Sequence, residues 1–476
     1  MARSDRSDLE AENTLLREQV AALTTLVEKL QRRILSLEKD SSNSSKPPSS
    51  DPPSAAKPKH PPKARKKKRR GGHKRRQRVL FPADRIDLVR THPEPTRNPD
   101  LWERALNDAG EPLFRVLQQV GFDPEQRRFV LTEHRFAVHR HRVSGRLQAA
   151  PRPAWLHGVG GQLFAPGMQA WVCSLKIETH ASVRGIRRFL RETLDLAVST
   201  GYLAKVLRTA AGALGPAYER IAEVVRSQPV LHADETGHKH AGHRGYSWVA
   251  TCPVAALFRV GVSRATEQLE ALVGSAFAGV LVSDFYSPYR RFARGHEAVD
   301  SAFCWAHLIR EVKAVGELPE KGARIWSVSI LGDAAELFRG WRLGSGRICR
   351  RARDAILGKC EPWMPWVNQE VATLQKRLRE HAGAYFRFID TPGNLEARSI
   401  GPTNNAAERE LRALVLHRRV TQGTRGEAGL LWWERGWSVR ATLGKHGGGF
   451  FGFVRETLAA AAAGLTPPMP LPSPAG

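Results

Sequence analysis

The sequence predicts a multi-domain α/β protein, and three observations carry that prediction. Short apolar runs spaced closely enough to pair as strands cluster between residues 228 and 312. Helical periodicity dominates before and after them. At 476 residues the chain is long enough for two or three domains and a sizeable core.

Composition limits the function classes. The formal net charge is +27 and the pI about 10.6, which points to a polyanionic partner, DNA or RNA first. Residues 41–80 hold 14 Lys and Arg against the single acid Asp51, about half of the net charge. The remainder is also strongly positive, so the body as well as this arm should attract phosphate. Five scattered cysteines without a CxxC pair argue for a reducing compartment and against a disulfide framework. No signal peptide opens the chain and no apolar run approaches a membrane span, so a soluble cytoplasmic protein is expected.

In residues 1–40, Leu9, Leu16, Leu23, Leu30 and Leu37 recur every seven positions, with Asn13, Val20, Val27 and Ile34 four residues after the first four. Leu at d with β-branched residues at a predicts a parallel coiled coil, and Asn13 at a fixes register and the dimeric state. Residues 41–78 read as a disordered linker, Ser/Pro-rich and then basic. Its Lys66, Lys67, Lys68, Arg69, Arg70, Arg75 and Arg76 are candidate phosphate contacts.

Residues 79–157 form a small basic module, with short strands expected at Val79–Phe81 and Arg128–Thr132. Its His134, His139 and His141 have no cysteine between residues 1 and 172 to complete a zinc site, so they are read as basic surface. Residues 158–227 turn helical, with Ser199 as the N-cap of a helix from Thr200. Two short helices with arginines outward suggest a helix-turn-helix that meets DNA through Arg187, Arg188 and Lys205; an ordinary helical bundle fits the same spacing.

The catalytic reading begins at Val230. Val230–Asp234, Gly245–Thr251 and Ala256–Val262 read as an antiparallel meander, Ala265–Val273 as a helix, and Gly279–Asp284 as a buried strand. An order β-β-β-α-β with acids ending the first and fourth strands is the ribonuclease H-like pattern, a mixed sheet with flanking helices. Residues 228–312 are its first part, Phe303 to Val312 opening the next helix. Residues 313–395 read as a helical insertion broken at Pro362 and Pro365, residues 396–463 as the second part, and residues 464–476 as a disordered tail.

Asp234, Asp284 and Glu408 are the candidate catalytic and metal-binding residues. Three acids from separate elements suit a pair of Mg²⁺ or Mn²⁺ ions over a phosphodiester. Glu235 should face away from Asp234 on the same strand. His232, two residues upstream on Asp234's face, and His307 are candidates to support the ligand sphere; Trp305 and His307 also suit contact with a DNA end. Glu410 competes with Glu408, but two residues apart on a helix only one faces the metals. Asn404 and Asn405 are candidate helix caps, and Arg409 and Arg412 candidate phosphate contacts.

The heptad leucines, the SSNSSKPPSSD linker, the basic arm and the DETG, SDFYSPY, CWAH and NNAAERELR motifs together resemble the IS-sixty-six (TnpC-type) insertion-sequence transposases. The resemblance covers nearly the whole chain. It implies a DDE transposase with a ribonuclease H-like core and Asp234, Asp284 and Glu408 as its triad. It also implies terminal inverted repeats and target DNA as partners, with a homodimer or higher oligomer and accessory proteins. Members carry a cysteine-based zinc-ribbon-like segment where residues 79–157 have no cysteine, so zinc is not carried over. A transposase-derived regulator without activity and a structure-selective nuclease are the alternatives; the three intact acids speak against the first.

Overall fold

The computed structural model describes residues 16–24, 80–159, 161–261, 263–361 and 369–471. The chain divides into two compact units, residues 1–77 and 78–476. In the first, helix α1 (residues 16–24) carries Leu16, Val20 and Leu23 of the heptad stripe, all more than half exposed. Leu9, Asn13, Val27, Leu30, Ile34 and Leu37 lie outside the described residues, as do the linker, the lysines and arginines of the basic arm, Pro362, Pro365 and residues 472–476.

The second unit opens with a five-stranded sheet: β1 (Leu88–Thr91), β2 (Trp102–Arg104), β3 (Phe114–Asp123), β4 (Arg128–His141) and β5 (Leu147–Ala149). Every strand pairs with β4, β1 in parallel and the others antiparallel. Two expectations change here. Leu80 and Phe81 belong to no strand, and β4 runs far beyond Thr132. The extra length was hidden because buried polar residues, Glu133, His134 and His139, interrupt the apolar Leu131, Phe136, Ala137 and Val138. Glu133 is held by Gln118 and Arg135, His134 Nδ1 lies 3.0 Å from His92 Nε2, and His139 meets Glu94. His134 and His139 are therefore buried groups rather than basic surface.

Four helices follow: α2 (Pro166–Glu178), α3 (Val183–Leu194), α4 (Thr200–Ala213) and α5 (Gly215–Arg226). Ser182 Oγ accepts the Gly185 N–H and Ser199 Oγ accepts the Tyr202 N–H, each satisfying an orphan donor of the first turn. Ile186 and Leu190 are buried beneath α3, and Asp195 in the left-handed region turns the chain toward α4.

The central sheet has the order β10-β9-β6-β7-β8. Its strands are β6 (Val230–His240), β7 (His243–Thr251), β8 (Ala256–Gly261), β9 (Gly279–Ser283) and β10 (Val299–Phe303), with α6 (Thr266–Val273) and α7 (Ser287–Gly295) in the connections. β6, β7 and β8 are antiparallel neighbours; β9 and β10 join in parallel. The expected strand end at Asp234 is corrected. β6 continues to His240 because β7 pairs with it as far as His240↔His243. Ala241 and Gly242, both at positive φ, close the two-residue turn. Phe303 likewise ends β10 instead of opening a helix. The stretch Val-Asp-Ser-Ala-Phe is too short and mixed to announce a strand.

The helices α8 (Trp305–Gly316), α9 (Lys321–Leu343), α10 (Gly346–Gly358), α11 (Gln369–Glu380), α12 (Ala382–Tyr385), α13 (Arg387–Asp390) and α14 (Asn394–Ala397) share one apolar cluster with Val282, Ala302 and Phe303 of the sheet. Then α15 (Asn405–Thr421) packs on β6 and β7, α16 (Glu427–Lys445) on β8, and α17 (Phe450–Ala463) on α2. Beyond it Leu471 is buried in the main core, so the tail read as disordered is anchored that far. Among the described residues no helix is long and apolar enough to cross a membrane.

Candidate active site

Asp234, Asp284 and Glu408 come from β6, the residue after β9 and the first turn of α15. The β6–β9 ladder ends at His232↔Val282, so Asp234 lies just beyond it and pairs only with Val249 of β7. Asp284 follows the last residue of β9, and its Oδ1 accepts the Tyr286 N–H at 3.1 Å, turning the chain into α7. Both acids thus stand where parallel pairing stops.

The three carboxylates interact. Burial pushes the Asp234 carboxyl up to about 7, helped by the negative charges of Glu235, Asp284 and Glu408 and opposed by the Glu235 N–H that donates to its Oδ1 at 2.8 Å. Clustered, half-buried like charges of this kind fit an arrangement completed by a cation.

Glu235 faces away, as expected from alternation along a strand. Its side chain is 1% exposed and receives Arg264 Nε at 2.8 Å and the hydroxyl of Tyr289. Burial raises its carboxyl, while these two donors pull it down. The Arg264 guanidinium also stacks over Tyr286, 4.1 Å from the ring centre. The SDFYSPY motif therefore supplies Asp284 together with the Tyr286 and Tyr289 that steady the strand beneath Asp234.

Asn404 is the residue that sequence reasoning misjudged. It occupies the N-cap position of α15 but makes no side-chain cap. Instead its Nδ2 donates to the Ala233 carbonyl at 2.7 Å, its Oδ1 lies 3.2 Å from His232 Nδ1, and its N–H donates to Cys304 Sγ at 3.1 Å. These contacts tie the start of α15, and so Glu408, to the strand immediately before Asp234. Burial pushes His232 down to about 4, so it meets Asn404 as a neutral ring. His232 is placed in this network as a support, two residues from Asp234.

His307 Nδ1 lies 3.7 Å from Glu408 Oε1, and Arg310 reaches the same oxygen at 3.4 Å. Trp305 is fully buried, with its indole N–H on the Tyr385 carbonyl at 2.6 Å, which removes it as a DNA contact. Glu410 is engaged elsewhere, 2.9 Å from Lys445 Nζ, leaving Glu408 as the acid beside Asp234. Burial raises the Cys304 thiol, against the backbone N–H groups of Asn404, His307 and Ala306. His238, read as a loop histidine, is buried in β6 between Thr424 and Ser247 hydroxyls, and burial pushes it down to about 4.

Among the candidate phosphate contacts, Arg409 and Arg412 are exposed on α15, Lys205 on α4, and Arg187 and Arg188 on α3. Arg184 and Arg191 share that exposed face of α3 with the latter two, together with the acid Glu192. Lys66, Lys67, Lys68, Arg69, Arg70, Arg75 and Arg76 lie outside the described residues.

The chain is 24% identical over 230 residues to the uncharacterized protein y4jD of Sinorhizobium fredii, covering 43% of this chain and 45% of that protein. It is 25% identical over 300 residues to the uncharacterized protein y4hP of the same organism, covering 56% and 54%. The chain spans about half the length of the curated relatives it matches. A family of unknown function matches residues 2–78. The model of the Transposase IS66 family matches residues 161–430, more than half of the chain and all three acids, and the chain belongs to that family.

Proposed function

We propose that this transposase is a DDE enzyme with a ribonuclease H-like core, which cleaves DNA at the ends of its element and joins the freed 3′-hydroxyl to target DNA. The observation that carries the reading is the convergence of Asp234, Asp284 and Glu408 from β6, β9 and α15, close enough for Asp234 to feel the other two charges. The strand order β10-β9-β6-β7-β8 supports the core assignment.

The three carboxylates suit Mg²⁺ or Mn²⁺, hard cations that take a few carboxylates and leave room for substrate phosphate. Bound there, two such ions would polarise the phosphate and stabilise the attacking and leaving oxygens. The protein's own part is positioning. Asp234, which feels the charges of both other acids, would hold a cation together with either of them. Glu235, Arg264 and Tyr289 hold β6 from behind, and Asn404 keeps Glu408 in step with it. In each displacement an oxygen attacks phosphorus as a phosphorus–oxygen bond breaks on the opposite side; a 3′-hydroxyl leaves in cleavage and attacks in strand transfer.

Exposed Arg187, Arg188, Lys205, Arg409 and Arg412, with the basic arm, would meet backbone phosphates. The α3–α4 pair serves in this reading as a helix-turn-helix, and the heptad leucines join two chains so that two element ends are held together. Accessory proteins and a cytoplasmic site of action belong to the same proposal. Asp234→Asn tests it: end cleavage in Mg²⁺ should be abolished with DNA binding intact. Cleavage by that variant at the wild-type rate would overturn the assignment.

A further inference from the structure

We propose that Cys304, His307 and Glu408 form a second cation site, selective for a thiophilic divalent transition metal such as Zn²⁺ or Co²⁺. One ligand atom from each residue lies within 4.8 Å of the others. Ligand atoms around a tetrahedral ion with metal–ligand bonds of about 2.0–2.3 Å stand roughly 3.5 Å apart, so a small contraction closes the site. Cys304 immediately precedes α8 and His307 sits in its first turn, so the three-residue spacing brings both to one end of one helix.

Two further observations point to a ligand. His307 Nδ1 is buried without a hydrogen-bond partner, although Glu408 Oε1 stands 3.7 Å away, too far to serve as one. Cys304 Sγ receives the Asn404 N–H at 3.1 Å, the kind of outer hydrogen bond that steadies a metal-bound thiolate. Arg310 now offers Glu408 its positive charge at 3.4 Å, but its side chain is 62% exposed and otherwise held only by the Ala306 carbonyl at 3.3 Å, so a cation can displace it toward solvent.

The donor set decides the class of metal. A thiolate and an imidazole select a borderline-soft ion and disfavour Mg²⁺, and three protein ligands leave the fourth position to water. Binding exchanges the thiol proton for the metal–sulfur bond and releases that proton to solvent. Glu408 belongs to both centres, so a transition metal held here competes with the hard-cation centre for its carboxylate. That last consequence rests on the proposed function; the site itself does not.

The test is titration of the full-length protein with Co²⁺, following the sulfur-to-cobalt charge-transfer absorption. The wild type should bind with this band at one equivalent, and Zn²⁺ should displace it. Cys304→Ser should lose the band, although Cys173, Cys252, Cys349 and Cys360 remain. His307→Gln and Glu408→Gln, both at partly exposed side chains, should weaken Co²⁺ binding at least tenfold without disturbing the fold. No band in the wild type, a band that survives in Cys304→Ser, or unchanged affinity in both other variants overturns the proposal. Asp234→Asn separates the two readings. It should keep the band whatever it does to cleavage, and cleavage by it would overturn the carboxylate assignment while leaving the transition-metal site standing.

Discussion

Asp234, Glu235 and Asn404 show how much single side chains settle at this site. Strand alternation already separated Asp234 from Glu235, and the buried Arg264 and Tyr289 contacts give Glu235 its role. Asn404 was legible only as a cap, because its side-chain partners lie more than 170 residues away in the chain. Asn404→Ala leaves the buried Ala233 carbonyl unpaired and should cost about 1–3 kcal/mol of stability. It should also lower end cleavage more than DNA binding, because Glu408 loses its tie to β6. Thermal unfolding and a cleavage assay read against binding check both halves; an equal loss of the two activities would contradict the positioning role. Cys304 was likewise in view within CWAH, but only Trp305 and His307 were considered there. The thiol's proximity to Glu408 is a tertiary fact with no signature in spacing.

At the scale of elements, legibility followed local chemistry. The α4 start was marked by Ser199, whose hydroxyl does satisfy a first-turn amide, and Ser182, not singled out in the sequence, caps α3 in the same way. The strands β7, β8 and β9 announced themselves through apolar content. β10 and α7 did not, and β6 appeared too short because its second half, Glu235 to His240, is polar, with Glu235 and His238 buried and His238 and His240 meeting the Thr424 hydroxyl. The reading of Asp234 as a strand-end acid was therefore half right: the parallel ladder ends there while the antiparallel one continues. The β6–β7 turn offers a direct check. Ala241 sits at φ 51°, where a Cβ is strained. Ala241→Gly should stabilise the protein by about 1 kcal/mol, seen as a raised Tm; a lowered Tm would contradict the assigned turn.

At the scale of the whole molecule, charge and the heptads were the plainest features of the sequence, and in the proposed function they would gather DNA rather than cut it. The exposed Leu16, Val20 and Leu23 on α1 fit a stripe that waits for a second chain. Removing residues 1–40 should yield a monomer by light scattering, and an unchanged mass would sink the coiled-coil reading. The division of the site was also legible, since Asp284 and Glu408 lie 124 positions apart with a helical segment between them. That segment shares its apolar cluster with Val282 and Phe303, so it buttresses the sheet edge from which Asp284 emerges. The sequence did not disclose this, because the packing joins residues whose spacing carries no period.

In the proposed function Asp234, Asp284 and Glu408 act as one centre. The most direct measurement is Mg²⁺-dependent cleavage of the element's end by Asp284→Asn, Glu408→Gln and Glu410→Gln, with DNA binding followed in parallel. The first two should bind DNA but not cleave it. Glu410→Gln, which loses only its Lys445 ion pair, should cleave near the wild-type rate. Cleavage by Glu408→Gln alongside its loss in Glu410→Gln would instead make Glu410 the third acid and overturn the assignment of Glu408.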